Sequence, residues 1–185
     1  MKFMPFTLLE YDIPEYVGTF NRQERERWGK QVATPGFPVN KERFLYSRRT
    51  SPHAKWYGEA VLTRFLERNG FQAWHETYKL FDQSKHKENT SAIEALVGGK
   101  AFAKLRQHVQ SAGFRFSDPD VVGFHFDTDQ SVFLEVKLDK STGKDPMGDF
   151  QLPSLAAIRN TIPNSFVAVI GLLQPLTATL SMCSP

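Results

Sequence analysis

Two segments in the second half of the chain alternate apolar and polar residues with the period of a β-strand. In the longer one Val132, Leu134, Val136 and Leu138 form one row and Phe133, Glu135, Lys137 and Asp139 the other. Glu135 and Lys137 therefore project together from one face, and the apolar row is expected to face the core. The shorter segment, Asp120 to Phe126, is separated from it by Asp127, Thr128, Asp129 and Gln130, a polar stretch of the kind that closes a hairpin. The two are expected to pair antiparallel. A turn centred between Thr128 and Asp129 sets Asp120 opposite Lys137 and diagonal to Glu135, about 7 to 8 Å between backbones. A slip of one residue would turn a whole strand over and separate these groups.

A helical period governs the stretches on either side. Ser51 followed by Pro52 makes a good N-cap and first-turn pair, and Gly70 supplies a stop. Between them Leu62, Phe65 and Leu66 gather on one side with Gly58, and Glu59 projects about 20° from Leu66 at the border of the buried stripe. A carboxylate buried there without a partner is costly and has its pKa raised, so it needs a metal or an arginine. At the stripe's edge it reaches solvent instead, or pairs with Thr63 or Arg64.

Phe71 to Phe81 reads as the first core strand. A polar loop follows from Asp82 to Ser91, with Lys85, His86 and Lys87 at its tip, then helix-like sequence through Phe102, Leu105 and Val109, interrupted by Gly98 and Gly99. The region around 82–116 reads as an insertion. Downstream, Gln151 opens a short apolar helical pattern of Leu152, Leu155 and Ile158, and Phe166 to Leu173 reads as a buried strand.

The chain has 185 residues, 41% of them hydrophobic, which suffices for one compact core. A formal charge of +3 permits a polyanionic partner. The charge is unevenly spread: Arg22 to Arg64 carries ten basic residues against four acidic ones, with Trp28, Phe37, Phe44, Tyr46, Trp56 and Tyr57 interleaved. Such a region suits phosphates and unpaired bases, and equally an ordinary surface over core aromatics. Arg22 to Arg27 alternates sign with Glu24 and Glu26 and reads as a solvated helix. Arg48, Arg49 and Lys55, just ahead of the helix carrying Glu59, are the candidates for nucleic-acid contact. Thr34 to Pro38 suggests an irregular arm, and residues 1–50 read as an accessory segment packed on a core domain of 51–185.

Several chemistries are disfavoured. The single cysteine, Cys183, forms neither a cysteine-based zinc site nor an internal disulfide. His53, His75, His86, His108 and His125 lack short metal-ligand spacing, and strand parity points His125 away from Asp120. Lys140 to Lys144 lacks the pattern of a phosphate loop. No secretory signal is evident, and no apolar run approaches the roughly 18 residues of a spanning helix. A soluble intracellular protein is expected.

The chemistry centres on Asp118-Pro119-Asp120, followed fifteen residues after its second aspartate by Glu135-Val136-Lys137. Two carboxylates on adjoining strands can share a hard divalent cation that also takes waters and a substrate phosphate. Such a metal lowers the pKa of a bound water, while Lys137 orients that water or offsets the charge developing on phosphorus. A turn around a proline and a solvated cross-strand face would account for the same residues without any chemistry.

This arrangement resembles the PD-(D/E)XK nuclease superfamily, with Pro119-Asp120 as the first element, Glu135-Val136-Lys137 as the second and Glu59 as the acid on a preceding helix. The similarity spans roughly Ser51 to Leu173. It implies an α/β restriction-endonuclease-like core, a central mixed β-sheet flanked by helices. It also implies hydrolysis of DNA phosphodiesters with Mg2+, or Mn2+ in its place, held by Asp120, Glu135 and Glu59 and assisted by Lys137. Gln151 is similar to an active-site glutamine of the virus-type replication-repair nuclease (VRR-NUC) branch, although the loop from Leu138 to Phe150 is longer and no tryptophan follows Gln151. Capping of the helix is the alternative for this glutamine. Related folds often dimerise to cut both strands, so a homodimer stays open. The expectation is an endonuclease of DNA repair, recombination, replication or restriction. The rivals are a noncatalytic nucleic-acid-binding module of the same fold and a protein-interaction domain.

Overall fold

The computed structural model describes residues 4–20, 23, 57–75, 78–81, 86–140, 143, 144 and 146–173. In chain order the strands are β1 (Met4–Leu8), β2 (Pro14–Thr19), β3 (Phe71–His75), β4 (Val121–His125), β5 (Gln130–Lys140), β6 (Gly143–Lys144) and β7 (Ser165–Leu173). The helices are α1 (Tyr57–Arg68), α2 (Lys87–Val97), α3 (Gly99–Ala112) and α4 (Gln151–Thr161).

Among the described residues the strands lie side by side in the order β1-β2-β7-β5-β4-β3, with β6 paired to the end of β5. The β2/β7 and β7/β5 pairings are parallel and the others antiparallel, so the sheet is mixed and the class is α/β. Parallel neighbours need a crossover connection, and α4 supplies it between β5 and β7. Residues 4–8 and 14–19 are strands of this sheet, joined to its centre through β2 and β7. No helix among the described residues is long and apolar enough to cross a membrane.

Helices cover both faces of the central strands. Val132, Leu134 and Val136 pack with Tyr57, Leu62 and Leu66 of α1. Phe133, on the other face, is fully buried in a second cluster with Ile93 of α2, Phe102 and Leu105 of α3, and Leu155 and Ile158 of α4. The row that alternation alone assigned to the polar side is therefore a second core for part of its length. Strand β7 has nearly no polar residue for the same reason: it is buried on two faces.

Helix α1 ends where expected, with Gly70 in the left-handed region (φ +86) after Arg68. Ser51 and Pro52, its expected start, lie outside the described residues. Two local expectations are corrected. The first core strand stops at His75 rather than Phe81, because the backbone of Lys79 and Leu80 bonds to side chains from elsewhere: Thr90 Oγ1 accepts from Lys79 N (3.0 Å), and Asp118 Oδ1 accepts from Leu80 N (2.7 Å). The stretch Lys87 to Ser91, expected as loop, is the first turn of α2, held by burial of Thr90 and Ile93.

The hairpin register also differs. Val121 faces Leu134 and His125 faces Gln130, so the turn is centred between Asp127 and Thr128. Continuing this register places Asp120 directly opposite Glu135 rather than Lys137. The difference is two residues along β5, an even number, so Asp120, Glu135 and Lys137 still share one face.

Candidate active site

The site forms where β4 begins and β5 continues past it. Asp120 precedes β4 and is held by its neighbours. Asp118 accepts from Leu80 N and pairs with Lys79 Nζ at 3.3 Å. Tyr78 donates its buried hydroxyl to the Pro119 carbonyl oxygen, and Ser117 N donates to Ser154 Oγ of α4 at 2.8 Å. Three consecutive residues are thus tied down before Asp120, whose Oδ2 accepts from Val136 N at 2.8 Å. These fasteners were not read from the sequence. Asp118 looked like a turn residue, and nothing in Tyr78-Lys79-Leu80 signals that its partner lies 38 to 41 residues on.

Glu135 is only 2% exposed. Its Oε1 accepts from Gln151 Nε2 and lies 3.2 Å from Lys137 Nζ, and the Asp120 carboxyl is near enough to raise its pKa. Burial pushes the Glu135 carboxyl up to about 9, helped by the neighbouring Asp120 carboxyl and opposed by Lys137. Desolvation and the neighbouring carboxylate both favour the neutral form of Glu135, so it keeps its proton well above the usual carboxylate range.

Gln151 completes the constellation from α4. Its Oε1 accepts from Lys137 Nζ at 2.9 Å and from Gly148 N at 2.6 Å, while its Nε2 reaches Glu135. It fastens the backbone just ahead of its helix and touches the two ionisable residues of β5, but it does not cap the helix, whose N-cap is Phe150 with no side-chain bond. An amide suits the position because one end accepts from an ammonium and the other donates to a carboxyl.

The structure therefore brings together Asp120, Glu135, Lys137 and Gln151. Glu59 stands on α1, which packs on the Val136 face of the sheet, opposite the Glu135 row; the backbone of its neighbour Gly58 lies against Val136 and Leu172. Thr63 donates to the Glu59 carbonyl oxygen (2.9 Å) and meets buried His75 Nδ1 at 3.0 Å. His125 lies on the face away from Asp120, edge-on to Phe71. Arg48, Arg49 and Lys55 lie outside the described residues.

Among the described residues no three His, Cys, Asp or Glu side chains gather as a metal site. The pair Asp120 and Glu135 nonetheless has the donor chemistry of one. Two neighbouring carboxyls favour a positive counterpart, and beside the Lys137 ammonium a hard divalent cation can serve as one, completing its coordination with water and phosphate oxygens.

Compared with known proteins, the chain matches no family model, no curated protein and no solved structure.

Proposed function

We propose that the protein is a metal-dependent deoxyribonuclease of the PD-(D/E)XK kind, an intracellular endonuclease with a restriction-endonuclease-like core. The observation that carries this reading is the convergence of Asp120 and Glu135, carboxyl to carboxyl, with Lys137 and Gln151 bonded beside them on one sheet face. An ordinary solvated strand pair would not bury a glutamate beside an aspartate, since each raises the cost of charging the other.

Asp120 and Glu135 are the residues to hold Mg2+ or Mn2+, and Glu59, whose helix packs on the opposite face of the sheet, is left out of that set. When bound, the cation supplies Lewis-acid polarisation of a phosphodiester oxygen and a more acidic water. Lys137, its ammonium fixed by the Gln151 oxygen, offsets negative charge developing on the phosphate. Gln151 keeps that ammonium and the Glu135 carboxyl in register. Arg48, Arg49 and Lys55 are proposed to grip the DNA backbone ahead of α1.

The burial of Glu135 favours one second reading, a noncatalytic DNA-binding module in which the pair keeps its proton. Cleavage of labelled linear, single-stranded, flapped and four-way-junction DNA with Mg2+, Mn2+ or EDTA separates the two. Metal-dependent cutting by wild type, lost in Asp120→Ala, is expected. Binding without cutting in either metal would replace the enzyme with the module.

A further inference from the structure

Three large apolar side chains among the described residues are exposed: Tyr11, Phe126 and Phe150. Two of them lie at the end of the sheet remote from the site. Phe126 follows β4, which begins beside Asp120, and rests edge-on against Phe124. Tyr11 sits in a turn whose carbonyl oxygen accepts from Arg159, in the last turn of α4. Phe150 alone stands at the site, bonded in the chain to Gln151.

Stability does not explain an exposed phenyl ring there. Phe150 is the N-cap of α4, a position where Ser, Thr, Asp or Asn would bond an unsatisfied helix N–H, and it makes no such side-chain bond. The residue is 40% exposed and is absent from both core clusters. The helix thus forgoes a side-chain cap and leaves a partly exposed phenylalanine next in the chain to the glutamine that touches Glu135 and Lys137.

Resting on the nuclease reading above, we propose that Phe150 stacks on an unpaired base next to the scissile phosphate, so that the preferred DNA carries unpaired nucleotides at the cut. A base inside a duplex already has both faces stacked on its neighbours and offers none to the ring. An unpaired base offers a free π-face of any sequence, which makes such contacts selective for strand state rather than for letters. A phosphate held between Lys137 and the carboxyl pair puts the attached base within reach of the residue beside Gln151.

The test compares wild type, Phe150→Leu and Phe150→Trp on a single strand carrying 2-aminopurine and on the same sequence as duplex. Affinity and fluorescence quenching are read in EDTA, and KM and kcat with Mg2+. Phe150→Leu is expected to weaken single-strand binding by about tenfold, within the contribution of one base–aromatic stack, to relieve the quenching and to narrow the preference over duplex. Phe150→Trp is expected to retain all three. Thermal melting confirms that the exposed position tolerates both changes. Wild type that binds strand and duplex alike, or a leucine variant with unchanged affinity and quenching, overturns the proposal. Phe150-dependent strand binding without any cleavage would uphold the stack while removing the nuclease reading; loss of both removes both.

Discussion

Asp120 and Glu135 stand opposite each other where the β4/β5 register continues, and burial together with the Asp120 carboxyl makes Glu135 keep a proton well above the usual carboxylate range. That proton links folding to pH. The folded-state value of Glu135, about 9, lies above its ordinary value of 4.5, so the folded chain binds a proton that the unfolded chain has released between those limits. The stabilising contribution is fully present below about 4.5 and is lost as pH rises towards 9. Urea unfolding without metal is therefore expected to show stability falling across this window, and Glu135→Gln to flatten the fall and to exceed wild type near pH 8. A profile identical in the two proteins would mean that the carboxyl is not held protonated. Mg2+ is expected to stabilise wild type at pH 8 and to release a proton on binding, and to do neither in the variant.

Lys137 is the cation closest to the pair, 14% exposed and 3.2 Å from Glu135. On the nuclease reading its removal takes away a charge that would face the phosphate and leaves Arg48, Arg49 and Lys55 unchanged. Lys137→Ala is expected to cut turnover by roughly 10² to 10³, the scale for one preorganised electrostatic group, with DNA affinity nearly unchanged. A parallel loss of affinity, measured by anisotropy, would instead make Lys137 a binding residue. Lys137→Arg does not restore activity if the single Gln151 oxygen fixes a compact ammonium, because a planar guanidinium cannot occupy the same point.

Gln151 acts through its two neighbours. Gln151→Leu keeps the volume of the side chain, removes the acceptor for Lys137 and Gly148 and the donor to Glu135, and is expected to lower Mg2+ affinity and turnover by about 10 to 100-fold, as for other groups that orient a metal ligand. Titration of Mg2+ against activity separates the two effects. Unchanged metal dependence and rate would leave Gln151 as a helix fastener alone.

The parity of β5 was legible because alternation survives any register shift by two, and so Asp120, Glu135 and Lys137 share a face in both the expected and the observed pairing. The α4–β7 unit was legible from its own apolar spacing, beginning at Gln151 as the pattern indicates. Phe133 was misassigned since period-2 patterning reports one covered face, and only the helices packed on the second face make it core. The register, the early end of β3 and the fasteners around Asp118 were illegible for a common reason. They depend on pairings such as Leu80 with Asp118 and Ser117 with Ser154, separated by 38 and 37 residues, which leave no periodic trace.

Gly58 links the far face of the sheet to the site. A Cβ added there would meet Val136 Cγ1 at 2.7 Å and Leu172 Cδ1 at 3.4 Å, and Val136, between Glu135 and Lys137, lends its backbone N–H to Asp120. Gly58→Ala should gain about 0.5 to 1 kcal/mol of helix preference but lose about 1 to 3 kcal/mol to overpacking, giving a net loss of stability together with a displaced Val136. Adding Val136→Ala makes room for the new methyl. In a double-mutant cycle read by urea unfolding, the two changes are expected to couple by more than about 0.5 kcal/mol, the limit for independent sites, with the second change restoring part of the lost turnover. Additive energies would mean that α1 can shift away from β5, and that the close approach of Gly58 plays no part in holding the Asp120 acceptor at Val136.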